Sequence, residues 1–157
     1  MSGAMKLASW NVNGVRAAWN KGLAKFLEKS DFDIVCLQET KVTQEQLSPE
    51  QLLPFEYRSL WYSAEKAGYS GLGIYYKRAP LSIELGLGDS EIDKEARVIL
   101  AEYPDFVLIN SYFPNSQRDH ARLPFKLKFC NLMTDTMVKY VQAGKNIILC
   151  GDLNIAH

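Results

Sequence analysis

The chain has little histidine or cysteine, no surplus of charge of either sign, and no long apolar run. Each shortage excludes something. The two histidines, His120 and His157, have no partners at catalytic or zinc spacing. The three cysteines, Cys36, Cys130 and Cys150, also lack metal-type spacing, and an odd number argues against a disulfide framework. They read as buried, reduced thiols in a reducing, cytoplasmic compartment. Lys plus Arg and Asp plus Glu both number 18, so the formal charge is zero. Nucleic-acid binders usually carry a basic surplus, although a patch around one cleft needs none. No apolar run approaches the roughly 20 residues of a membrane helix, and the N-terminus has no signal-peptide pattern. Neither a Gly-x-Gly-x-x-Gly fingerprint nor a Walker-type lysine loop occurs, so nucleotide-cofactor readings have no support. Repeats, low-complexity tracts and linkers are absent. Met1-Ser2-Gly3-Ala4 before Met5 reads as a cloning remnant.

What the chain does have is one design used three times. Lys6-Leu7-Ala8-Ser9-Trp10 runs into Asn11-Val12-Asn13-Gly14. Asp33-Ile34-Val35-Cys36-Leu37 runs into Gln38-Glu39-Thr40-Lys41. Asn146-Ile147-Ile148-Leu149-Cys150 runs into Gly151-Asp152-Leu153-Asn154. Each apolar strand delivers small oxygen ligands at its carboxyl end, where open α/β sheets place their ligands. Together they suggest a divalent-metal phosphoryl site. Hard Mg²⁺ takes one or two carboxylates and keeps several waters, so Glu39 supported by Asn11 and Asn154 meets its demand. Taken alone, Glu39 reads equally well as a strand-end carboxylate paired with Lys41. Asp152 and Asn154 alone read as a turn, which Asp and Asn favour.

The spacing predicts a helix after Asn13-Gly14, with Val15, Ala18, Trp19, Leu23, Phe26 and Leu27 on one face. A β-α-β opening with parallel neighbours follows. Strands are expected over 57–63, 71–77, 81–86, 97–103 and 106–113, as an antiparallel meander. A long helix follows over about 123–143, with Pro124 in its first turn and Gly144 at its end. Its buried stripe is Phe125, Phe129, Leu132, Met133, Tyr140 and Val141. The expected architecture is α/β with one large mixed sheet nearly complete.

Further polar groups surround the strand ends. Tyr112 and Asn115 can donate to a phosphate oxygen without adding charge, though a strand-end core aromatic before a Pro turn is the simpler reading. Arg118, Arg122 and Lys126 fit a phosphate-contacting loop or a solvated face. Tyr69, in a glycine-flanked turn, fits a nucleic-acid contact or a hairpin tip.

Five segments together resemble one family: Trp10-Asn11-Val12-Asn13-Gly14-Val15-Arg16-Ala17, Leu37-Gln38-Glu39-Thr40-Lys41, Gly68-Tyr69-Ser70-Gly71, Tyr112-Phe113-Pro114-Asn115 and Gly151-Asp152-Leu153-Asn154. It is the bacterial-type exodeoxyribonuclease III and apurinic/apyrimidinic endonuclease family, within the endonuclease/exonuclease/phosphatase superfamily. The resemblance covers the whole chain in family order. It implies a four-layer α/β sandwich of which residues 1–157 are the N-terminal portion: the mixed-sheet half, with the second sheet largely missing. It implies a Mg²⁺ site, with Mn²⁺ a substitute, at Asn11, Glu39, Asp152 and Asn154. Tyr112, Asp152 and Asn154 are the implied catalytic groups, and Lys41, Tyr69, Asn115 and Arg118 the implied DNA contacts. The implied activity is a DNA-repair phosphodiesterase that cuts duplex DNA 5′ to abasic sites and trims 3′ ends. Ala96 departs from the family, standing before Arg97 where relatives usually have Gly. A late Asp-His segment of the family is not among these residues, so the chain alone is expected to be inactive. Its bare sheet face would then need a C-terminal segment or self-association to cover it. The alternatives are a non-catalytic nucleic-acid-binding or assembly fragment, and a superfamily phosphatase on inositol phosphates or a sphingomyelinase.

Overall fold

A computed structural model of the protein describes residues 3–116 and 120–155. Strand β1 (Leu7–Asn11) leads into helix α1 (Val15–Ala18), a π-helical turn (Trp19–Leu23) and helix α2 (Ala24–Lys29). The helix expected here is therefore interrupted. Gly22, at φ 137°, takes a backbone conformation closed to most side chains and bends the segment. The apolar stripe nonetheless holds. Val15, Leu23 and Leu27 are buried, with Ala18, Trp19 and Phe26 packed beside them. Strand β2 (Ile34–Gln38) runs parallel to β1, with Asn11 opposite Gln38.

The remaining strands are β3 (Arg58–Tyr62), β4 (Leu72–Tyr76), β5 (Ser82–Leu85), β6 (Val98–Glu102), β7 (Val107–Tyr112) and β8 (Ile147–Asp152). They do not extend one sheet. The order is β1-β2-β4-β3 in one sheet and β5-β6-β7-β8 in a second. The mixed α/β sandwich is as expected; the single sheet and the largely missing second sheet are not. β4 already pairs with β2 on one side and β3 on the other. β4 thus has no free edge for β5, which pairs instead with β6 in another sheet. The expected meander is thus divided: β3-β4 is a hairpin of the first sheet, and β5-β6-β7 is the meander of the second.

The bare inner face expected of the first sheet is also corrected. Ile34, Cys36, Leu72 and Ile74 pack against Ile99, Ala101, Tyr103 and Leu108 of the second sheet. Large apolar groups are exposed instead along β5 (Ile83, Leu85), at Ile148 on β8 and on one side of the long helix. That helix, α5 (Leu123–Gln142), has Pro124 in its first turn and ends before Gly144 at φ 78°. Phe129 and Met133 are buried under the second sheet beside Val98, Leu100, Val107 and Ile109. Burying one such side chain stabilises by about 1.5–3 kcal/mol. Val141, placed on this stripe by its spacing, instead faces solvent with Leu127 and Val138. Helix α3 (Pro49–Leu52) starts from a reciprocal Ser48–Gln51 cap, and α4 (Ser90–Asp93) from Asp89, whose carboxylate accepts from the Glu91 and Ile92 N–H groups. Of the three free thiols, Cys36 is buried and the other two half-buried.

Candidate active site

Two parallel pairs aim their carboxyl ends at one place. β1 and β2 end with Asn11 opposite Gln38, and β7 and β8 end with Tyr112 opposite Asp152. Beyond the strand ends, the loops are tied by backbone bonds. Val12 and Gly14 N–H groups donate to Gln38 and Glu39 carbonyls at 3.0 and 2.7 Å, and Phe113 N–H donates to the Asp152 carbonyl at 2.9 Å. Asn13, Glu39, Lys41 and Asn154 all have φ between 44° and 57°. Non-glycine residues rarely take this left-handed conformation, and it tends to cluster at functional sites.

The centre of the site is Asn11. Its side-chain amide donates to Glu39 Oε1 at 2.9 Å and to Asp152 Oδ2 at 2.8 Å. Its carbonyl oxygen accepts from the Asn13 N–H at 3.0 Å. So Asn11 here ties two carboxylates together through its nitrogen. Lys41 Nζ donates to Asn13 Oδ1 at 2.6 Å and lies 3.4 Å from Glu39 Oε2. The strand-end pairing of Glu39 with Lys41 is seen, and the carboxylate also faces the site through Asn11. Burial acts to raise the Glu39 carboxyl. Hydrogen bonds from Asn11 and Tyr112, together with the Lys41 charge, outweigh it and hold the group below its ordinary value.

Tyr112 is half-buried, with its hydroxyl against Glu39 and beside Asn154. Burial first, then the hydrogen bond to Glu39, pushes this phenol well above its ordinary value, so it stays protonated and a donor. Asp152 Oδ1 accepts the Asn154 N–H at 3.0 Å, while Asn154 Nδ2 donates to the Phe113 carbonyl at 2.8 Å. Lys126 Nζ reaches the Asn154 carbonyl at 2.6 Å. A cleft of about 900 Å³ opens here, lined by Ser9, Asn11, Asn115, Lys126, Asp152 and Asn154 among others. The described residues thus bring together Asn11, Glu39, Lys41, Tyr112, Asn115, Asp152 and Asn154. Arg118 lies outside the described residues.

Tyr69 is not part of that cluster. Its hydroxyl accepts from Arg97 at 2.8 Å and Arg122 at 2.9 Å. Glu95 completes the group, pairing with Arg97 at 2.6 Å and Arg122 at 2.7 Å. Burial acts to raise the Glu95 carboxyl, but the two guanidinium groups outweigh it and hold the carboxyl low. Arg97 is itself buried, stacks 4.8 Å from the Tyr112 ring centre and donates to the Tyr112 carbonyl at 3.0 Å. This network escaped the sequence reading. Its only signal is Glu95 and Arg97 two residues apart before an apolar strand, hence on one face. Ala96 between them sits at φ 50°, a conformation that favours glycine.

The oxygen donors fit a hard divalent cation: two carboxylates flanked by amides, the number Mg²⁺ takes. Among the described residues there is no cluster of three or more His, Cys, Asp and Glu. No helix among them is long and apolar enough to cross a membrane.

Residues 8–157 match the Endonuclease/Exonuclease/phosphatase family. The chain belongs to this family. Within it, the chain is 40% identical to an exodeoxyribonuclease of Bacillus subtilis over 154 residues, covering 98% of this chain and 60% of that one. It is 41% identical to the DNA repair nuclease APEX1 of Danio rerio over 155 residues, covering 98% of this chain and 50% of that one. Among solved structures, an AP endonuclease from Archaeoglobus fulgidus superposes with a TM-score of 0.84 at 26% identity, covering 98% of this chain and 58% of that one. This family member therefore spans 50–60% of the length of these relatives.

Proposed function

We propose that this chain carries the metal-binding part of a DNA-repair phosphodiesterase of the exodeoxyribonuclease III type. Its substrates would be duplex DNA cut 5′ to an abasic site and DNA trimmed at 3′ ends. The observation that carries this reading is the Asn11 amide joining Glu39 and Asp152 at 2.9 and 2.8 Å at the meeting point of two sheets. Glu39 and Asp152 supply the carboxylate oxygens for Mg²⁺, or Mn²⁺ in its place, with Asn11 and Asn154 as supporting amides. When bound, the metal neutralises charge on a phosphoryl oxygen and polarises it.

The chain's own groups divide the remaining work. Asp152, oriented by the Asn154 N–H, accepts a hydrogen bond from the attacking water. Tyr112, held protonated by burial and Glu39, donates to a phosphate oxygen as charge develops there. Asn115, on the cleft wall, adds a neutral donor, and Lys41, Tyr69 and Arg118 contact the DNA backbone. His120 is exposed and does not line the cleft, so the described residues supply no imidazole to the phosphate. We therefore infer that the chain by itself turns over DNA barely, if at all. A C-terminal segment or a second copy against β8, whose Ile148 is exposed, as are Leu153 and Ile155 after it, would extend the second sheet. The odd set of reduced thiols suits the cytoplasm.

Two measurements test the reading. Calorimetric titration with Mg²⁺ and Mn²⁺ should show one site on this chain, lost in Glu39→Ala. Incision of a duplex with one abasic site should stay near background for this chain. Absence of metal binding, or vigorous incision in EDTA, would overturn it.

A further inference from the structure

The site draws on both sheets: Asn11 and Glu39 come from the first, Tyr112, Asp152 and Asn154 from the second. Something must fix the offset between them. Most of the interface is apolar, with Ile34, Cys36, Leu72 and Ile74 against Ile99, Ala101 and Leu108. Apolar burial is non-directional, and cores accept repacking when volume is kept. A site, in contrast, loses function when its groups shift by about 1 Å. The greasy part of the interface holds the sheets together without defining their alignment to that tolerance.

Besides the Asn11–Asp152 contact at the site, a buried amide pair crosses this interface. Gln38 and Asn110 are 1% and 0% exposed. Gln38 Nε2 donates to Asn110 Oδ1 at 2.9 Å and to Ser9 Oγ at 3.1 Å. Asn110 Nδ2 donates to the carbonyls of Leu37 at 3.3 Å and Gly73 at 3.1 Å. One side chain of the second sheet thus grips β2 and β4 of the first. Each member also adjoins the site, and Ser9 and Gln38 line its cleft. Ser9 precedes Asn11 by two residues on β1, and Gln38 directly precedes Glu39. Asn110 precedes Tyr112 by two on β7 and faces Cys150, two before Asp152 on β8. An amide buried without its partners is costly, so any slide between the sheets that breaks this link is penalised. Buried polar groups serve best as such register devices.

We propose that Gln38 and Asn110 are positioning residues that set the alignment of the two sheets at the metal site. This rests on the metal-site reading above for its consequence, but not for its test. In Gln38→Met, nearly isosteric, the link is cut. In the double variant Gln38→Leu with Asn110→Leu, both partners become apolar, which can be nearly neutral for stability. Ile74→Val, at the same interface, is the control that loosens packing alone.

Three readouts apply to the intact 157-residue chain: melting temperature, affinity for Mn²⁺ alone, and the NMR positions of the Asn11 side-chain N–H pair. In the parent these two protons face different carboxylates and should resonate apart from a free amide. In Gln38→Met and the double variant they should collapse toward free-amide positions, with Mn²⁺ affinity down at least about tenfold, as when outer-shell partners of metal ligands are removed. Ile74→Val should lower melting yet leave both readouts at parent values. If Gln38→Met keeps the parent Asn11 positions, or moves them no further than Ile74→Val does, the proposal is overturned. A parent that fails to bind Mn²⁺ would count against the metal reading, and the Asn11 signals would still decide the register question.

Discussion

The Asn11 amide nitrogen and the Asp152 carboxylate, 141 residues apart in the chain, lie 2.8 Å from each other. The same nitrogen holds Glu39, so one neutral side chain keeps two anionic groups together. Such a cluster would relieve its repulsion by taking up a cation.

Glu39→Ala should therefore remove Mg²⁺ and Mn²⁺ binding from the range of calorimetry. Glu39 is half-buried at a strand end and lies outside the three apolar clusters. The melting temperature should change by less than about 4 °C, a shift near 1 kcal/mol for a chain of this size. Metal affinity equal to the parent would show that Glu39 is not the ligand.

Asp152→Asn keeps the shape and the contact with the Asn154 N–H but loses the charge. In the complete catalytic unit we expect kcat on abasic duplex to fall about 10²-fold or more, with DNA affinity within about threefold of the parent. Interactions made in the transition state show in kcat, and those made equally in the ground state show in KM. A variant that cuts normally but binds poorly would reverse the assignment.

Glu95→Gln should destabilise by about 3 kcal/mol at neutral pH, because it leaves the buried Arg97 without its anion. The pH dependence has a definite sign. The folded Glu95 carboxyl lies below its ordinary value of 4.5. Its stabilisation is thus complete above about pH 4.5 and lost as pH falls through the lower folded value. Urea denaturation at a series of pH values should show the gap between parent and variant closing below about pH 4.5. A gap constant down to pH 3 would mean that Glu95 is not ionised in the network.

Gly151→Ala should break the approach of β8 to β7. A Cβ there would lie 1.8 Å from the Ser111 carbonyl oxygen, at a φ of 134° that side chains rarely adopt. We expect a loss of at least about 2 kcal/mol in chemical denaturation. Metal affinity should fall with it, since Asp152 is the next residue. An unperturbed melt would show that the strand can shift to accommodate a methyl group.

The convergence of the polar strand ends was easier to read from the sequence than the division of the strands into two sheets. Asn11, Glu39, Asp152 and Asn154 were legible because each follows an apolar run, and strand ends are where backbone geometry gathers such groups. The division into two sheets was not legible, because pairing is non-local. Ile34, Ile74, Ile99 and Leu108 would be buried on both faces in one sheet or in two. Gln38 and Asn110 stood in plain view inside apolar runs, yet a lone amide in such a run gives no clue to its partner. Glu95, Arg97 and Arg122 were obscure for a similar reason, since 25 residues separate the two arginines that one carboxylate holds. Val141 shows the reverse error. A residue at helical spacing from the core stripe still turns outward, although Tyr140 beside it packs on the core.

β8 has a neighbour on one side only among the described residues, and it is also the strand that delivers Asp152. An edge strand exposes unpaired N–H and C=O groups that another strand can use. The two halves of the site therefore differ in independence. Glu39 is fixed from an interior strand, whereas Asp152 is held through β7, Asn11 and Asn154 on a strand whose other side is open among the described residues. A chain pairing there could tune the distance between the two carboxylates, and with it the grip on a cation, without touching the cation at all.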